Sequence, residues 1–378
     1  MNKNNFDIAI FGNGITAKVM CLIANHCNMR FINIQEKEKK EKQTKDVRSL
    51  ALSSASKDML KILGVKIESQ QVEKMIVLEG GISNGKIKGK VTFDSKELDD
   101  HIAFISEYSL IKKSLDSCLE LNNKNSIKAE LKSINKTGNF SKVTFTNNAS
   151  INSRLNIFTE KLNSNLQKIT NVKYESSDYD QTAITTTLEH SKANKGYAYQ
   201  FFLANGPLAL LPLKKRKSKN FTSLVWTEKT NNALEILSKE GDLEKKLNEM
   251  CSLYLGKIKV SVEPVSFSLK RAICKSPLFD RNILVGDAAR SMHPLAGQAW
   301  NQSLRDLAYL ADALMESKKL GIDIISCPSL LSFNRKRKIE GDAYVEGISF
   351  INNIFKSESS LAKGLRRNLM KLVDNKGP

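Results

Sequence analysis

Hydrophobic residues near the start of the chain follow first the period of a strand and then the period of a helix. The run FDIAIF, Phe6 to Phe11, is short and almost wholly apolar, which predicts a buried strand. A second strand is expected from Arg30 to Ile34. Before Gly64, which stops a helix, three apolar residues recur at helical spacing: Leu52, Leu60 and Leu63. Strands should therefore alternate with helices here.

The next part of the chain mixes strands with one helix. Met75 to Phe93 predicts two strands around an Asn84-Gly85 turn, because that dipeptide is a strong hairpin signal. Ile105 to Leu119 has helical spacing. Two further strands are expected, near Ser126 to Ile134 and Ser141 to Asn147.

From Tyr179 to Trp226 the pattern changes to β-branched and aromatic segments between Gly, Asn and Lys turns, which predicts an antiparallel sheet. Candidates for one apolar face are Phe201, Phe202, Leu208, Leu210 and Leu211. That face is either ordinary sheet core or a lid over a hydrophobic substrate. The candidate substrate contacts are Phe202, Leu211 and Pro212.

The chain after Pro328 is helical by pattern. A basic start, FNRKRK, is followed by an apolar stripe of Val345, Ile348, Ile351, Ile354 and Phe355. Such a stripe either packs on a core or anchors a helix at a membrane surface. Core packing is the favoured interpretation.

Composition indicates a folded globular protein. The hydrophobic fraction of 41% and the charged fraction of 26% are typical of that class. A length of 378 residues is long for one core and favours two joined domains. The net charge of +19 is compatible with solubility alone, a membrane surface or an acidic partner. Nucleic acid is not expected, since zinc spacing, aromatic RNA-binding signatures and a basic recognition helix are missing.

Cysteine usage and the N-terminal sequence bear on location. The six cysteines are scattered without a CxxC pair, as expected of reduced thiols, and no metal-ligand spacing is found. The chain moves directly into a strand without a signal-peptide hydrophobic region, and it lacks the run of about 18 apolar residues that a membrane span needs. We expect a cytoplasmic protein, with any membrane contact peripheral, at the inner membrane.

The first strand runs into a dinucleotide-binding fingerprint, Gly12-x-Gly14-x-x-Ala17. The glycines allow a tight turn and a close approach to a pyrophosphate, the small third residue allows helix-on-strand packing, and the helix N-terminus favours negative charge. An acid for the ribose hydroxyls should follow the second strand. Either Gln35 takes that place with a neutral amide, or Glu36 takes it after a shift of one residue.

Arg48 is a further candidate cofactor contact. It lies in a loop that leads back to the phosphate-binding side, where an arginine can clamp a pyrophosphate or contact a flavin edge. The alternative is an ordinary surface salt bridge.

The stretch LVGDAARSMHPLAGQAWNQSLRDL, Leu284 to Leu307, predicts the other half of a cofactor site. A strand from Asn282 to Val285 ends at Gly286-Asp287, and a carboxylate there can bind a polyol such as the ribityl chain of a flavin. A following helix start offers N–H groups to the electron-rich flavin ring. The candidate cofactor-binding residues of this stretch are Gly286, Asp287, Pro294, Gly297, Gln298, Ala299, Trp300 and Asn301.

This stretch resembles the second FAD motif of the aromatic-ring flavoprotein monooxygenases, and most closely that of the ubiquinone-biosynthesis hydroxylases, which read near GDAAHxxHPxAGQGxNLGxRD. Four other segments resemble that family in the same order: DVRSLALSSASKDMLKILG, YDQTAITTTLEH, ANGPLALLPL and SLVW. The resemblance covers nearly the whole chain and is more specific than any single motif.

The resemblance implies an α/β fold like that of p-hydroxybenzoate hydroxylase. A Rossmann-like FAD-binding domain would be interrupted by an antiparallel β-sheet substrate domain and followed by a helical C-terminal region. The expected boundaries are 1–74, 96–170 and 271–325 for the FAD domain, 75–95 and 171–270 for the substrate domain, and 326–378 for the C-terminal helices.

The resemblance also implies a reaction, in which reduced FAD and O₂ give a flavin hydroperoxide that hydroxylates a polyprenylated phenol on the way to ubiquinone. An apolar pocket then matters more than an acid or a base, and no catalytic side chain is singled out. Two alternatives stay open: a hydroxylase of a small soluble aromatic, and an inactive relative that serves as a binding or scaffold subunit of a biosynthetic complex.

The sequence departs from the family pattern at several places. Gln35 replaces the Glu of the family, Arg290 replaces the His after GDAA, and Ala299 replaces the second Gly of GQGxN. FTEKLNS, Phe158 to Ser164, stands where the family has an Asp-Gly motif, GADGxxS. Because that motif is associated with FAD and with access of the reduced nicotinamide, the reductant stays open between NAD(P)H and an electron-carrier protein.

Overall fold

The computed structural model describes residues 4–36, 46–79, 89–98, 100–122, 125–294 and 297–356. The Asn84-Gly85 turn and the chain after residue 356 lie outside these residues.

The described residues form eight longer helices and twenty strands. The helices are α1 (Ile15–His26), α2 (Ser54–Ile62), α3 (Tyr108–Asn122), α4 (Ser164–Thr170), α5 (Thr230–Ser238), α6 (Asp242–Leu255), α7 (Ala299–Leu320) and α8 (Pro328–Lys356). The strands of the first half are β1 (Asn5–Phe11), β2 (Phe31–Gln35), β3 (Ser49–Leu52), β4 (Gln70–Gln71), β5 (Lys74–Glu79), β6 (Gly89–Asp94), β7 (Phe104–Glu107), β8 (Ser126–Lys128), β9 (Leu131–Thr137), β10 (Phe140–Phe145) and β11 (Ser150–Phe158). Those of the second half are β12 (Tyr174–His190), β13 (Tyr197–Leu203), β14 (Gly206–Arg216), β15 (Lys219–Lys229), β16 (Ile258–Val260), β17 (Val265–Cys274), β18 (Leu278–Phe279), β19 (Asn282–Leu284) and β20 (Arg290–Ser291).

The first sheet is the Rossmann-like part of the molecule. Its order is β18-β19-β11-β1-β2-β8, and β1 pairs in parallel with both β11 and β2. Apolar residues of α1, α3 and α7 form the core on one face, while β9, β10 and α4 contribute to the core on the other. The carboxyl ends of β1, β11 and β19 therefore lie side by side, where ligands of such sheets bind.

The second sheet is larger and mostly antiparallel, in the order β20-β17-β12-β15-β14-β13-β5-β6 with β16 beside β12. One pairing, β13 with β5, is parallel. Helices α5 and α6 cover one face through a core that includes Leu243, Leu247 and Cys251. The other face is turned toward the carboxyl end of the first sheet, as the cavity described below shows.

A third, three-stranded sheet of β3, β7 and β4 corrects two expectations from periodicity. Leu52 belongs to β3 and pairs with Phe104, although helical spacing placed it in a helix. Ile105 belongs to β7 and pairs with Ala51, although it was expected to begin a helix. The start of α2 is set instead by local capping, since the Ser53 side chain accepts a hydrogen bond from Ser56 N.

The apolar residues expected on one face of the large sheet divide between its two faces. Phe201, Leu208 and Leu210 belong to the core under α5 and α6, whereas Leu211 packs on the opposite side. The reason is that neighbouring residues of a strand point to opposite faces.

Helix α8 is long, and its stripe is mostly core, as expected. Val345, Ile348 and Ile354 are buried, while Ile351 is exposed. Within the described ranges, no helix has both the length and the apolar character needed to cross a membrane.

Candidate active site

The turn between β1 and α1 forms a cradle of backbone N–H groups. Gly12 has φ +142°, and a Cβ there would lie 2.3 Å from Thr159 Oγ1, so a side chain is excluded. Gly14 precedes the first residue of α1, and Ala17 is buried against the core. The glycine spacing therefore brings the bare start of a helix to the end of β1, which is a site for an anion.

A carboxylate of the protein lies in this cradle. Glu160 Oε1 accepts hydrogen bonds from Asn13 N at 2.7 Å and from Gly14 N at 2.5 Å. Glu160 follows β11, within the segment FTEKLNS, and its side chain is otherwise exposed. The cradle thus binds a negatively charged oxygen, and the side chain that supplies it has room to move away.

Gln35 and Glu36 lie at the end of β2 and make different contacts. Gln35 Nε2 donates to Asn33 Oδ1 at 2.9 Å. Glu36 is exposed and accepts hydrogen bonds from Asn163 Nδ2 at 3.1 and 3.2 Å. The contacts do not choose between the two residues, so the ribose contact stays a prediction with both alternatives open.

The second loop begins where β19 ends. Gly286 N donates to Asp306 Oδ2 at 3.0 Å, which fixes the turn against α7. Asp287 then directs its carboxylate into a cavity, where a small molecule can reach it although protein surrounds it. Asp287 is exposed to solvent through the cavity, but the protein packed around its carboxylate removes part of its hydration and raises its pKa to about 6. Nearby Arg48 lowers that pKa and Glu160 raises it.

The cavity has a volume of about 470 Å³ and is the meeting place of the two larger sheets. One wall comes from the loop and helix start after β19 and from the segment before β3. The predicted cofactor residues that line it are Arg48, Asp287, Pro294, Gly297, Gln298, Ala299 and Trp300. The volume lies within the range of about 300 to 1,000 Å³ that is usual for ligand sites.

Asn301, another predicted cofactor residue, is outside the cavity lining and joins two elements instead. Its Nδ2 donates to Ala51 O at 2.8 Å, and its Oδ1 accepts from Ser53 N at 3.1 Å. These bonds hold β3 and the start of α2 against α7, and so position the wall that carries Arg48.

Arg48 is half exposed at this wall and is held on two sides. Its guanidinium donates to the Asp46 carboxylate at 2.6 Å and lies 4.6 Å from the ring centroid of Tyr108. The hydrogen bond to Asp46 raises the pKa of the Arg48 guanidinium, so Arg48 stays positively charged. Arg48 therefore forms the salt bridge that was one expectation, and it also lines the cavity where a cofactor contact was the other.

The opposite wall is the open face of the large sheet. Leu211, Ala198, Ala209 and Val225 line it. Of the three predicted substrate contacts, Leu211 faces the cavity, while Phe202 and Pro212 are outside the lining within the described residues. Because Leu211 and Pro212 are neighbours on β14, only one of them can point to this side.

Arg290, which replaces a histidine of the motif, is part of a buried ion cluster that the sequence did not reveal. Asp306 accepts hydrogen bonds from Arg290 at 3.1 Å and from Arg337 Nε at 2.7 Å. Arg290 lies directly on α8, where a Cβ on Gly341 would come within 2.4 Å of its guanidinium. In the sequence, this contact is indicated only by Gly341, a glycine in the interior of a predicted helix.

Comparison with known proteins shows what the chain is similar to. Residues 158–319 match the FAD binding domain family. The ubiquinone hydroxylase UbiL of Rhodospirillum rubrum is 32% identical over 194 residues, which cover 50% of this chain and 43% of that relative. The chain is thus similar to FAD-dependent monooxygenases in the part that carries the Gly-Asp loop.

Two further relatives match over more of their length. The ubiquinone hydroxylase UbiM of Neisseria meningitidis is 23% identical, with 88% of this chain and 73% of the relative covered. The mitochondrial ubiquinone biosynthesis monooxygenase COQ6 of Homo sapiens is 26% identical, with 71% and 66% covered.

Solved structures show the same fold. P. aeruginosa PqsL in complex with 2-aminobenzoylacetate has a TM-score of 0.78 at 13% identity, covering 95% of this chain and 99% of the other. The p-nitrophenol 4-monooxygenase PnpA from Pseudomonas putida has a TM-score of 0.76 at 14% identity, covering 99% and 95%. The expected two-part α/β architecture with a helical C-terminal region is therefore confirmed.

The described residues fit FAD. The N–H groups of the glycine cradle already donate to one anionic oxygen, that of Glu160. A pyrophosphate oxygen needs the same hydrogen-bond donors. The cavity next to it joins a carboxylate, a helix start and an apolar wall in one space. Because Glu160 is exposed, it can leave the cradle without breaking the core.

Proposed function

We propose that the chain hydroxylates the aromatic ring of a polyprenylated phenol in ubiquinone biosynthesis, with FAD and O₂. The observation that carries this proposal is the cavity between the two larger sheets. One of its walls is the loop expected to contact FAD, and the other is an apolar sheet face. The names of the ubiquinone hydroxylase relatives supply the substrate class.

The chain's own residues bind and orient the reactants. We expect Gly12 and Gly14 to admit the pyrophosphate to the start of α1, and Asp287 to bind the ribityl hydroxyls. The N–H groups at the start of α7 would stabilise negative charge on the bound flavin ring. Bound FAD supplies the redox chemistry with O₂.

The sheet wall keeps the reacting ring dry. Ala198 and Ala209 are small and leave space for a planar ring, while Leu211 and Val225 are apolar and give water no hydrogen-bond partner. This arrangement favours a phenol, whose ring is already electron-rich, because it offers orientation and exclusion of water rather than an acid or a base.

The electron donor is proposed to be NAD(P)H or a carrier protein. Glu160 and Lys161 stand where the family has its Asp-Gly motif, and both line the cavity. The Lys161 side chain occupies space that the family's glycine would leave open, which favours a carrier protein over direct entry of a nicotinamide.

We also propose that the protein contacts an anionic membrane surface, from which a prenylated substrate would come. Helix α8 exposes Leu331, Ile339 and Phe350 at 54%, 65% and 61%. Arg335 and Lys336 are exposed between the first two of these residues. Apolar and basic side chains on one helix suit the interface of an anionic bilayer.

The proposal is tested first by the visible absorption spectrum of the purified protein, before and after incubation with excess FAD. We expect flavin bands that remain after removal of free FAD. The flavoprotein, reduced with dithionite and then mixed with a prenylated phenol and isotope-labelled O₂, should add one labelled oxygen atom to the ring, measured by mass spectrometry.

Chemical reduction separates the hydroxylation from the question of the donor. A protein that binds FAD but oxidises no phenol would contradict the proposed reaction. A protein that FAD cannot restore to colour would instead favour the binding or scaffold role in a biosynthetic complex.

A further inference from the structure

The sheet wall of the cavity carries one amide among apolar and small residues. Gln200 lies on β13, with Ala209 opposite it on β14 and Val77 opposite it on β5. The row continues from Ala209 to Val225 on β15. Gln200 is therefore near the middle of the wall, surrounded on the sheet by uncharged neighbours.

This amide is buried without being satisfied by the protein. The Gln200 side chain is 6% exposed, and its Nε2 has no hydrogen-bond partner among the described residues. Thr185, in the same wall, shows the usual solution, since its hydroxyl donates to Leu224 O at 2.8 Å. A buried donor without a partner is unfavourable, and it persists where a ligand provides the acceptor.

Ser49 Oγ is a second buried lining atom without a described partner, but it belongs to the other wall. It lies on β3 next to Arg48, and the neighbouring strand residue Ala51 lies 3.3 Å from where a Cβ of Gly297 would be. Ser49 is thus on the side of the predicted cofactor loop. Gln200 is on the side where the aromatic ring is expected.

We propose that Gln200 determines specificity by hydrogen-bonding an oxygen substituent on the substrate ring, and so fixes which ring carbon faces the flavin. This inference rests on the proposed function. An amide both donates and accepts, which matches a phenol hydroxyl, and its uncharged neighbours on the sheet suit a neutral oxygen better than a carboxylate.

The test compares Gln200→Leu with the wild type for binding of a prenylated phenol and of the same compound lacking the ring hydroxyl. Binding is measured by perturbation of the oxidised flavin spectrum, so turnover is not needed. We expect the wild type to prefer the phenol about tenfold, which equals ~1.4 kcal/mol, and Gln200→Leu to show no preference. After dithionite reduction, the variant should hydroxylate more than one ring position.

Tyr199→Phe is the matched control, because Tyr199 is the neighbouring residue on β13 and packs on the opposite side, against Tyr254. It should keep the wild-type preference. Gln200→Leu should also retain FAD binding and should not lower Tm, since the amide contributes no described hydrogen bond to the fold. Gln200→Met serves as a second variant if the leucine protein does not fold.

The outcomes separate this inference from the proposed function. A wild type that hydroxylates the phenol, together with a Gln200→Leu or Gln200→Met protein that keeps the tenfold preference, would overturn the role of Gln200 alone. A wild type that binds FAD but neither phenol nor its analogue would overturn both.

Discussion

Glu160 lies in the cradle where the pyrophosphate of FAD is expected. Its carboxylate accepts hydrogen bonds from the N–H groups of Asn13 and Gly14. Two negative groups cannot share these donors, because like charges at such a distance repel each other. FAD binding therefore requires Glu160 to leave, and the free protein is held in a state that competes with its cofactor.

We expect Glu160→Ala to bind FAD about tenfold more tightly than the wild type, because the hydrogen bonds between Glu160 and the cradle no longer have to be broken. A charge-assisted hydrogen bond contributes roughly 1.5 to 3 kcal/mol, and the exposure of Glu160 to solvent lowers its contribution here. FAD fluorescence titration measures the dissociation constant. Glu249→Ala, an exposed glutamate on α6, controls for the change in net charge. Weaker binding by Glu160→Ala would show that Glu160 supports FAD instead.

Asp287 gives the FAD-free protein a pH-dependent stability. The pKa of Asp287 is about 6 in the folded protein, whereas the ordinary value for an aspartate, taken for the unfolded chain, is 3.8. Folding therefore favours the protonated form. Between these values the folded state binds more protons than the unfolded state, and stability falls as pH rises toward 6. Above pH 6 the whole penalty is present.

We expect FAD-free Asp287→Asn to have a higher Tm than FAD-free wild type above pH 6, by about one degree because solvent exposure of Asp287 reduces the penalty, and an equal Tm below pH 3.8. The same variant should bind FAD more weakly, since it loses a charged acceptor for the ribityl hydroxyls. Thermal unfolding followed by circular dichroism measures the first effect. Asp178→Asn, on an exposed part of β12, should change neither; a Tm gap independent of pH would contradict the argument.

At the level of elements, a buried ion cluster joins the loop after β19 to α7 and α8. Asp306 of α7 binds Arg290, Arg337 and the backbone N–H of Gly286. Arg337 also donates to Gln302 Oε1 at 2.8 Å and to Glu340 at 2.6 Å. Helix α8 is thus connected to the turn that presents Asp287.

We expect Arg337→Met to lower the free energy of unfolding by about 3 to 5 kcal/mol, because it leaves buried acceptors without their charged donor. Urea denaturation measures the change. Lys338→Met removes the exposed pair with Asp342 and should cost about 1 kcal/mol or less. Equal effects of the two substitutions would contradict a structural role for the cluster.

Elements whose signals are local were predictable. The strand and helix around Gly12 and Gly14, and the helix after Gln298, follow from glycine spacing and apolar periodicity, and both occur. Leu52 and Ile105 were misassigned because their strands pair with each other across some fifty residues. Such pairing has no local signal.

At the level of the whole molecule, the net charge of +19 and the exposed face of α8 bear on membrane contact. Basic side chains attract anionic lipid within about a Debye length of ~10 Å at 0.1 M salt. Exposed apolar side chains then enter the interface. The two effects act together only on an anionic membrane.

We expect the protein to sediment with anionic vesicles and not with neutral ones, and the binding to weaken as salt is raised. Ile339→Glu should reduce vesicle binding about tenfold, since it replaces an apolar contact with the lipid by a negative charge that the anionic lipid repels. Ile62→Glu, the same substitution at an isoleucine 72% exposed on α2, is the matched control. Equal loss in both variants would mean that charge alone, not α8, controls binding.

The sequence by itself determined the cofactor class and predicted the two halves of its site, because the glycine turn and the Gly-Asp loop depend on backbone conformations that only certain residues allow. Only the tertiary structure decided that Glu160 lies in the cradle, that Arg290 meets Gly341, and that Gln200 faces the cavity. These contacts join residues more than fifty positions apart or select one face of a strand, and their energies depend on packing and burial that no local pattern records.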